Sequence, residues 1–222
     1  MIVRDSWGSD IWAVVPIKEF AGAKQRLSGL LTPPQRRELA RTMATAVLTA
    51  LVEVPALAGI AVVTQDREAT VLAQRFGARV ITEGAADGHT GAVDGARRVL
   101  AAEGRGGMIT LPGDIPLITA QEVSAVLAAT APAPSFSIVP AHDQLGSNAV
   151  LCAPPLSVKL RFGEDSYFPH LDAARAAGIE PAIISLPGIG MDIDHPADLL
   201  KFLAMPQSKA TETAALLRAW GL

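Results

Sequence analysis

Three aspartates are the residues most able to do chemistry in this chain. "LPGDIPLI" holds Asp114 between Pro112 and Pro116, whose fixed φ angles stiffen the backbone and aim the carboxylate reproducibly. "MDIDHPADL" sets Asp192 and Asp194 two positions apart. On an extended stretch that spacing turns both carboxylates to one side. None of the three has an evident ion-pair partner nearby in sequence. A hard divalent cation takes oxygen ligands, and Mg²⁺ uses one or two carboxylates together with substrate phosphates. Asp114, Asp192 and Asp194 are therefore candidate Mg²⁺ ligands. A competing role exists for the last pair, because Pro196 opens a helical pattern and either Asp194 or His195 can be its N-cap. Cap and metal ligand are compatible roles.

The complementary charge lies near the N-terminus. Between Lys18 and Arg41 there are six cations (Lys18, Lys24, Arg26, Arg36, Arg37, Arg41) against two acids (Glu19, Glu38), in a chain of net charge −3. Lysine and arginine in a loop supply the charge-assisted hydrogen bonds a triphosphate needs. Lys18, Lys24 and Arg26 are assigned to that task, with Arg36, Arg37 and Arg41 expected on the solvent face of the following helix.

Two further segments suit an anion. "DQLGSNAVL" puts Gly146, Ser147 and Asn148 just before a strand, which fits carboxylate or phosphate binding and equally an ordinary turn. "RFGEDSYFPHL" places Gly163 and Ser166 ahead of a helix, whose free N–H groups attract anions while Ser166 can also be the cap. His89 sits in the glycine-rich "EGAADGHTGAVDG", within reach of a nucleotide. His142, His170 and His195 are expected at the surface or as caps, and no histidine pair has H-x-x-x-H spacing. Cys152 reads as a small core residue. G-x-G-x-x-G, the Walker loop and G-x-S-x-G are all missing.

The elements that must position these residues alternate. Apolar runs at 12–16, 59–64, 78–81, 106–112 and 135–140 read as strands. Helical patterns at 32–54, 67–77, 91–104 and 119–130 separate most of them, the first announced by Thr32 and two prolines. Residues 148–154 and 182–188 look like two more strands. Such alternation predicts parallel pairing through right-handed crossovers: an α/β protein, a three-layer α/β/α sandwich with a mostly parallel central sheet of Rossmann-like, nucleotide-diphospho-sugar transferase type. Its ligands would sit at the carboxyl ends of the strands, where the strand order reverses. The whole 222 residues read as one domain, with residues 1–10 a loose lead-in and 206–222 a tail helix offering Leu216, Leu217 and Trp220 to the body or to a second subunit.

With 50% apolar and 18% charged residues the chain can bury a large core. Its acidic balance argues against coating nucleic acid. A single cysteine, no signal-peptide pattern and apolar runs far short of the roughly 20 residues of a membrane span lead to the expectation of a cytoplasmic protein without membrane contact.

"VPIKEFAGAKQRL", "LPGDIPLI", "LGSNAVL", "RFGEDS" and "MDIDHPADL", in that order, resemble the CofC/FbiD family of MobA-like nucleotidyltransferases, the guanylyltransferases of deazaflavin coenzyme F420 biosynthesis. The resemblance spans residues 12–203. It implies condensation of GTP with a three-carbon phospho-acid (2-phospho-L-lactate, phosphoenolpyruvate or 3-phosphoglycerate), releasing pyrophosphate. It further implies that Asp114, Asp192 and Asp194 bind Mg²⁺ and that Ser147, Gly163 and Ser166 hold the acid's carboxylate. Lys18, Lys24 and Arg26 would lie by the triphosphate, with Glu83, Gly84 and Pro112 also at the nucleotide. The chain differs from the usual family pattern at Gly113, at Ser147 (more often Thr) and at Gly88-His89-Thr90 (more often G-L-N). Three other readings stand beside this one. They are a glycosyltransferase using "DID" as D-x-D, a cytidylyltransferase acting on a phosphonate, and a non-catalytic nucleotide-binding module. A homodimer through the tail is a further expectation.

Overall fold

The computed structural model describes residues 10–163 and 165–222, so the lead-in lies almost wholly outside the described residues. Seven strands form one sheet: β1 (Ile11–Pro16), β2 (Leu57–Val63), β3 (Arg79–Ile81), β4 (Gly107–Thr110), β5 (Ser135–Pro140), β6 (Ser147–Ala153) and β7 (Ala182–Ile183). Their spatial order is β3-β2-β1-β4-β6-β5-β7. β1 pairs in parallel with both β2 and β4, β2 with β3, and β5 with β7. β6 runs antiparallel to β4 and β5, so the sheet is mostly parallel, as the alternation requires. The antiparallel strand departs from it for a simple reason. Only residues 141–146 join β5 to β6, too few for a crossover, which needs a dozen or more.

Helices α1 (Pro33–Val52), α2 (Arg67–Arg75) and α4 (Ala120–Ala128) cover one face, and α3 (Gly88–Ala102) and α5 (Tyr167–Ala176) the other. β1 shows how the pleat divides its side chains. Ala13 and Val15 join the core under α1, while Val14 points to the core under α3. The three-layer α/β/α sandwich is therefore observed. Thr32 and Gln35 begin α1 by accommodating each other, the Thr32 backbone N–H donating to Gln35 Oε1 at 2.9 Å. The expected last strand is shorter, ending at Ile183 with the Ile184 N–H still donating to Ile138 O at 2.9 Å. Further on, Gly188 and Ile189 give their N–H groups to the Glu122 side chain (2.8 and 2.9 Å) rather than to a neighbouring strand.

α6 (Pro196–Ala204) and α7 (Glu212–Ala219) close one end, joined by a 3₁₀ segment, Pro206–Ala210. Leu199, Phe202, Ala214 and Leu217 pack with Leu27, Leu31, Leu39 and Met43 into a third apolar cluster. The tail thus spends its apolar face on its own body; of the residues proposed for docking, Leu217 is buried and Trp220 half-buried there. Among the described residues no helix is long and apolar enough to cross a membrane.

Candidate active site

The strand order reverses at β1, which lies between β2 and β4. At the carboxyl ends of β1 and β4 the chain opens into two adjoining cavities. One, of about 400 Å³, is walled by Lys18, Lys24, Ala85, Pro112, Gly113 and Asp114. The other, of about 760 Å³, is walled by Arg26, Ser147, Asn148, Gly163, Ser166 and Asp192. Gly88, His89, Pro112, Asp114 and Asp194 belong to both and form the shared wall.

Lys24 is the centre of the charged half. Its ammonium donates to Asp114 Oδ2 at 2.5 Å and to Asp194 Oδ1 at 2.7 Å, and its side chain is only 8% exposed. The two acids stand 90 and 170 residues away in sequence, which is why neither had an evident partner there. Burial by itself would lower the Lys24 pKa; Asp114 and Asp194 outweigh it and raise it. Burial would likewise raise the Asp194 carboxyl, but Lys24, and behind it Arg26, hold it below its ordinary value. The Lys24 backbone is left-handed, at φ 53° and ψ 42°. For a residue with a Cβ that conformation costs on the order of 1 kcal/mol. It persists because the turn is locked on both sides, by Ala23 N–H to Phe20 O and by Leu27 N–H to Lys24 O.

Asp192 has different company. Its Oδ1 accepts from Asn148 Nδ2 at 2.9 Å, and His142 Nδ1 lies 3.6 Å from it. Burial raises its carboxyl above the usual range, opposed by the Asn148 bond and reinforced by the charges of Asp114 and Asp194. Met191 and Ile193 alternate with these acids and are buried, while Asp192 and Asp194 both face the second cavity. His195 is the N-cap of α6, and Asp198 Oδ2 accepts the N–H groups of Asp194 and His195 at 3.0 and 2.7 Å. The Asp194 side chain is therefore not the cap. Among the described residues no three acidic, histidine or cysteine side chains converge as a ready metal site, since Lys24 parts the carboxylates. Asp114 and Asp194 still form a hard-oxygen pair already closed around a cation, and that donor chemistry fits a divalent ion.

The second cavity holds an uncharged cluster. Ser147 Oγ lies 2.9 Å from His170 Nδ1, and Ser166 Oγ donates to it at 3.2 Å. The Tyr167 N–H at the start of α5 donates to Leu145 O at 2.9 Å. That amide is consumed, and the hydroxyls are left to face the cavity. Thr90 Oγ1 accepts the Phe162 N–H at 2.9 Å, pinning the loop that carries Gly163 to the first turn of α3. Rings follow from one cavity to the other, His89 against Phe162 at 4.6 Å and Phe162 against His170 at 4.9 Å.

Glu83 and Gly84, expected at the nucleotide, lie in the turn that carries Ala85 to the wall of the first cavity. Gly84 has φ +73° and lies where an added Cβ would come 2.0 Å from Gly91 O, so its role is close packing on α3. Arg36 is not on the solvent face: it is buried, and its Nη1 donates to Leu31 O at 2.8 Å. Arg37 and Arg41 do face outward, towards Glu68. His170 is 1% exposed rather than a surface residue. Its position four residues after Ser166, one helical turn on, was the available signal. Cys152 is the buried core residue expected, its thiol pushed up to about 12 by burial.

Asp114 follows β4, Asp192 and Asp194 follow β7, and the basic loop follows β1 of a mostly parallel sheet; solved structures share this fold. One described as a nucleotide-diphospho-sugar transferase, from Desulfovibrio desulfuricans, superposes with a TM-score of 0.77 over 95% of each chain at 19% identity. A nucleotidyl transferase from Methanothermobacter gives 0.60, covering 96% of this chain and 100% of that one at 17% identity. The chain belongs to the guanylyl transferase CofC-like family, which matches residues 11–222. The phosphoenolpyruvate guanylyltransferase of Rubrobacter xylanophilus is 34% identical over 194 residues, 87% of this chain and 94% of that one. That of Conexibacter woesei is 32% identical over 212 residues, 93% and 94% of the two chains.

Proposed function

We propose that this enzyme transfers GMP from GTP to the phosphate of a three-carbon phospho-acid, as a step in making coenzyme F420. The observation that carries this reading is the shared wall. A lysine-bearing cavity and a hydroxyl-lined cavity meet at Asp114 and Asp194, where two phosphates could be brought end to end. The nucleotide's phosphates would lie against Lys18, Lys24 and Arg26, and the acid's carboxylate against Ser147, Gly163 and Ser166.

In this reaction an oxygen of the acid's phosphate forms a bond to the α-phosphorus of GTP. The bond from that phosphorus to the β-phosphate oxygen breaks, and pyrophosphate leaves with the electron pair. A phosphate is anionic near neutral pH, so the protein needs no general base, and alignment and charge neutralisation supply the rate. Asp114 and Asp194, with Asp192 beside them, would hold Mg²⁺, which when bound neutralises phosphate charge. Lys24 then has a second partner available, since its ammonium can exchange a carboxylate for a phosphate oxygen.

The test is pyrophosphate release with Mg²⁺, each of GTP, CTP, ATP and UTP, and a panel of 2-phospholactate, phosphoenolpyruvate, 3-phosphoglycerate and a phosphonate. GTP with one three-carbon phospho-acid is the expected pair. Preference for CTP, or release with no acid in the panel, overturns the reading.

A further inference from the structure

The Ser147 hydroxyl has one proton and two lone pairs, and the structure accounts for both lone pairs. The Arg161 backbone N–H donates to His170 Nε2 at 3.1 Å. A nitrogen that accepts carries no proton, so the neutral ring bears its proton on Nδ1. That proton points at Ser147 Oγ, 2.9 Å away. Ser166 Oγ donates to the same oxygen at 3.2 Å. The only direction left to Ser147 is to donate, into the cavity it shares with Asn148 and Gly163. We infer that His170 is a positioning residue that makes Ser147 an obligate hydrogen-bond donor, and so selects an anionic group, a carboxylate, at that end of the acceptor substrate.

His170 is 1% exposed and cannot touch the substrate itself. The Phe162 ring, edge-on at 4.9 Å, and Phe136 at 6.4 Å keep it from turning. An ordinary serine hydroxyl rotates to suit donor or acceptor alike. One with both lone pairs filled behaves like a backbone N–H, so a carboxamide or alcohol in place of the carboxylate gains nothing from its own donors there. The inference rests on the proposed reaction only for the identity of the ligand; the proton's location is a property of the protein alone.

Two measurements test it. The first needs no substrate: a ¹H–¹⁵N spectrum of ¹⁵N-histidine-labelled protein at pH 7, with the His170 signals assigned by their loss in His170→Asn. The neutral Nδ1–H form is expected; the Nε2–H form overturns the inference, whatever the activity. The second is kinetic. His170→Phe leaves Ser147 free to turn its proton away from the carboxylate, and a hydrogen bond to a charged group is worth roughly tenfold or more, so the KM for the phospho-acid should rise by up to about tenfold. KM for GTP and kcat should stay within about twofold. His170→Asn, which can present an N–H where Nδ1 lies, should remain within about threefold of the parent, while His170→Gln, which reaches only the Nε2 position, should follow Phe. A merely structural role would move Asn and Gln alike. In a Ser147→Ala background the Phe substitution should cost nothing further; an equal cost there, or no change in acid KM in the intact background, overturns the inference. An enzyme that turns over none of the acids sinks the proposed reaction instead, and the spectrum still decides this point. Should His170→Phe fail to fold, the Asn and Gln pair carries the comparison.

Discussion

On one side of the wall between the two cavities, Asp114 and Asp194 grip a buried ammonium at 2.5 and 2.7 Å. On the other, Ser147, Ser166 and His170 satisfy one another without a formal charge. The first arrangement is complete only while Lys24 stays, and any cation or phosphate that arrives must compete with an existing ion pair. The second is finished in advance, with one proton left over. Charge that has to be exchanged suits the half in which bonds are made and broken. A fixed neutral donor suits the half that only holds.

The contrast is broken most severely at the acids. Asp194→Asn or Asp114→Asn keeps the shape but leaves Lys24 with one carboxylate and removes a proposed cation ligand, and kcat/KM should fall about 10³-fold. Ser147→Ala should act on the acid's KM instead. Pyrophosphate release in Mg²⁺ measures both, and a mutant of either acid that retains a tenth of the parent activity would remove that carboxylate from the reaction.

The uncharged serine–histidine cluster carries its own signature in pH. Burial, with Arg161, His89 and Arg97 adding to it, holds His170 at about 4 rather than the ordinary 6.5. A depressed folded pKa means that the unfolded chain binds the proton more readily. The native state therefore keeps its stability above pH 6.5 and loses it as the pH falls towards 4. The full separation corresponds to about 3 kcal/mol. Urea unfolding of the parent and of His170→Asn across that window should diverge by this order, with the parent losing more. Parallel curves would mean that the ring takes up its proton without cost.

At the charged half, Lys24→Met should have two opposite effects. Turnover should drop about 100-fold as a phosphate contact is lost. Mn²⁺ should bind the nucleotide-free protein more tightly, because the ammonium no longer occupies the carboxylates. Equal Mn²⁺ affinity, read by electron paramagnetic resonance, would show that Lys24 and the metal do not compete.

What could be read from the sequence follows the range of the interactions involved. Asp114 between two prolines, the extended 191–194 stretch and the basic loop after β1 are local features, and each lies where its spacing placed it. The alternation of elements likewise gave the three-layer architecture. β6 escaped the parallel rule because a short connection overrode the rhythm. Arg36 defied its charge because the Leu31 carbonyl, five residues back, needed a donor inside the fold. His170 had one local signal, its place a turn after Ser166, but its partners Ser147 and Arg161 meet it only after β6 and α5 have packed. Glu83 and Gly84 sit in a turn whose glycine packs against the backbone of α3, a contact that the sequence does not show.

The smallest effect is expected from a substitution at Ser147. Ser147→Thr keeps the oxygen, the proton and both incoming hydrogen bonds, so the donor role survives. What changes is a methyl group on the cavity side of β6, next to Asn148, whose amide already serves Ile189 O and Asp192. One methylene in a pocket discriminates by about 1–3 kcal/mol at most, and a surface open to a cavity of about 760 Å³ should realise the lower end. Turnover with the preferred acid should shift by less than about fivefold, while the ratio between phosphoenolpyruvate and the bulkier, tetrahedral 2-phospholactate should move further. If the ratio is unchanged while both KM values rise together, the methyl is disturbing the His170 hydrogen bond and not the pocket's shape. Selection by a fixed donor and selection by volume would then be one property of Ser147, not two.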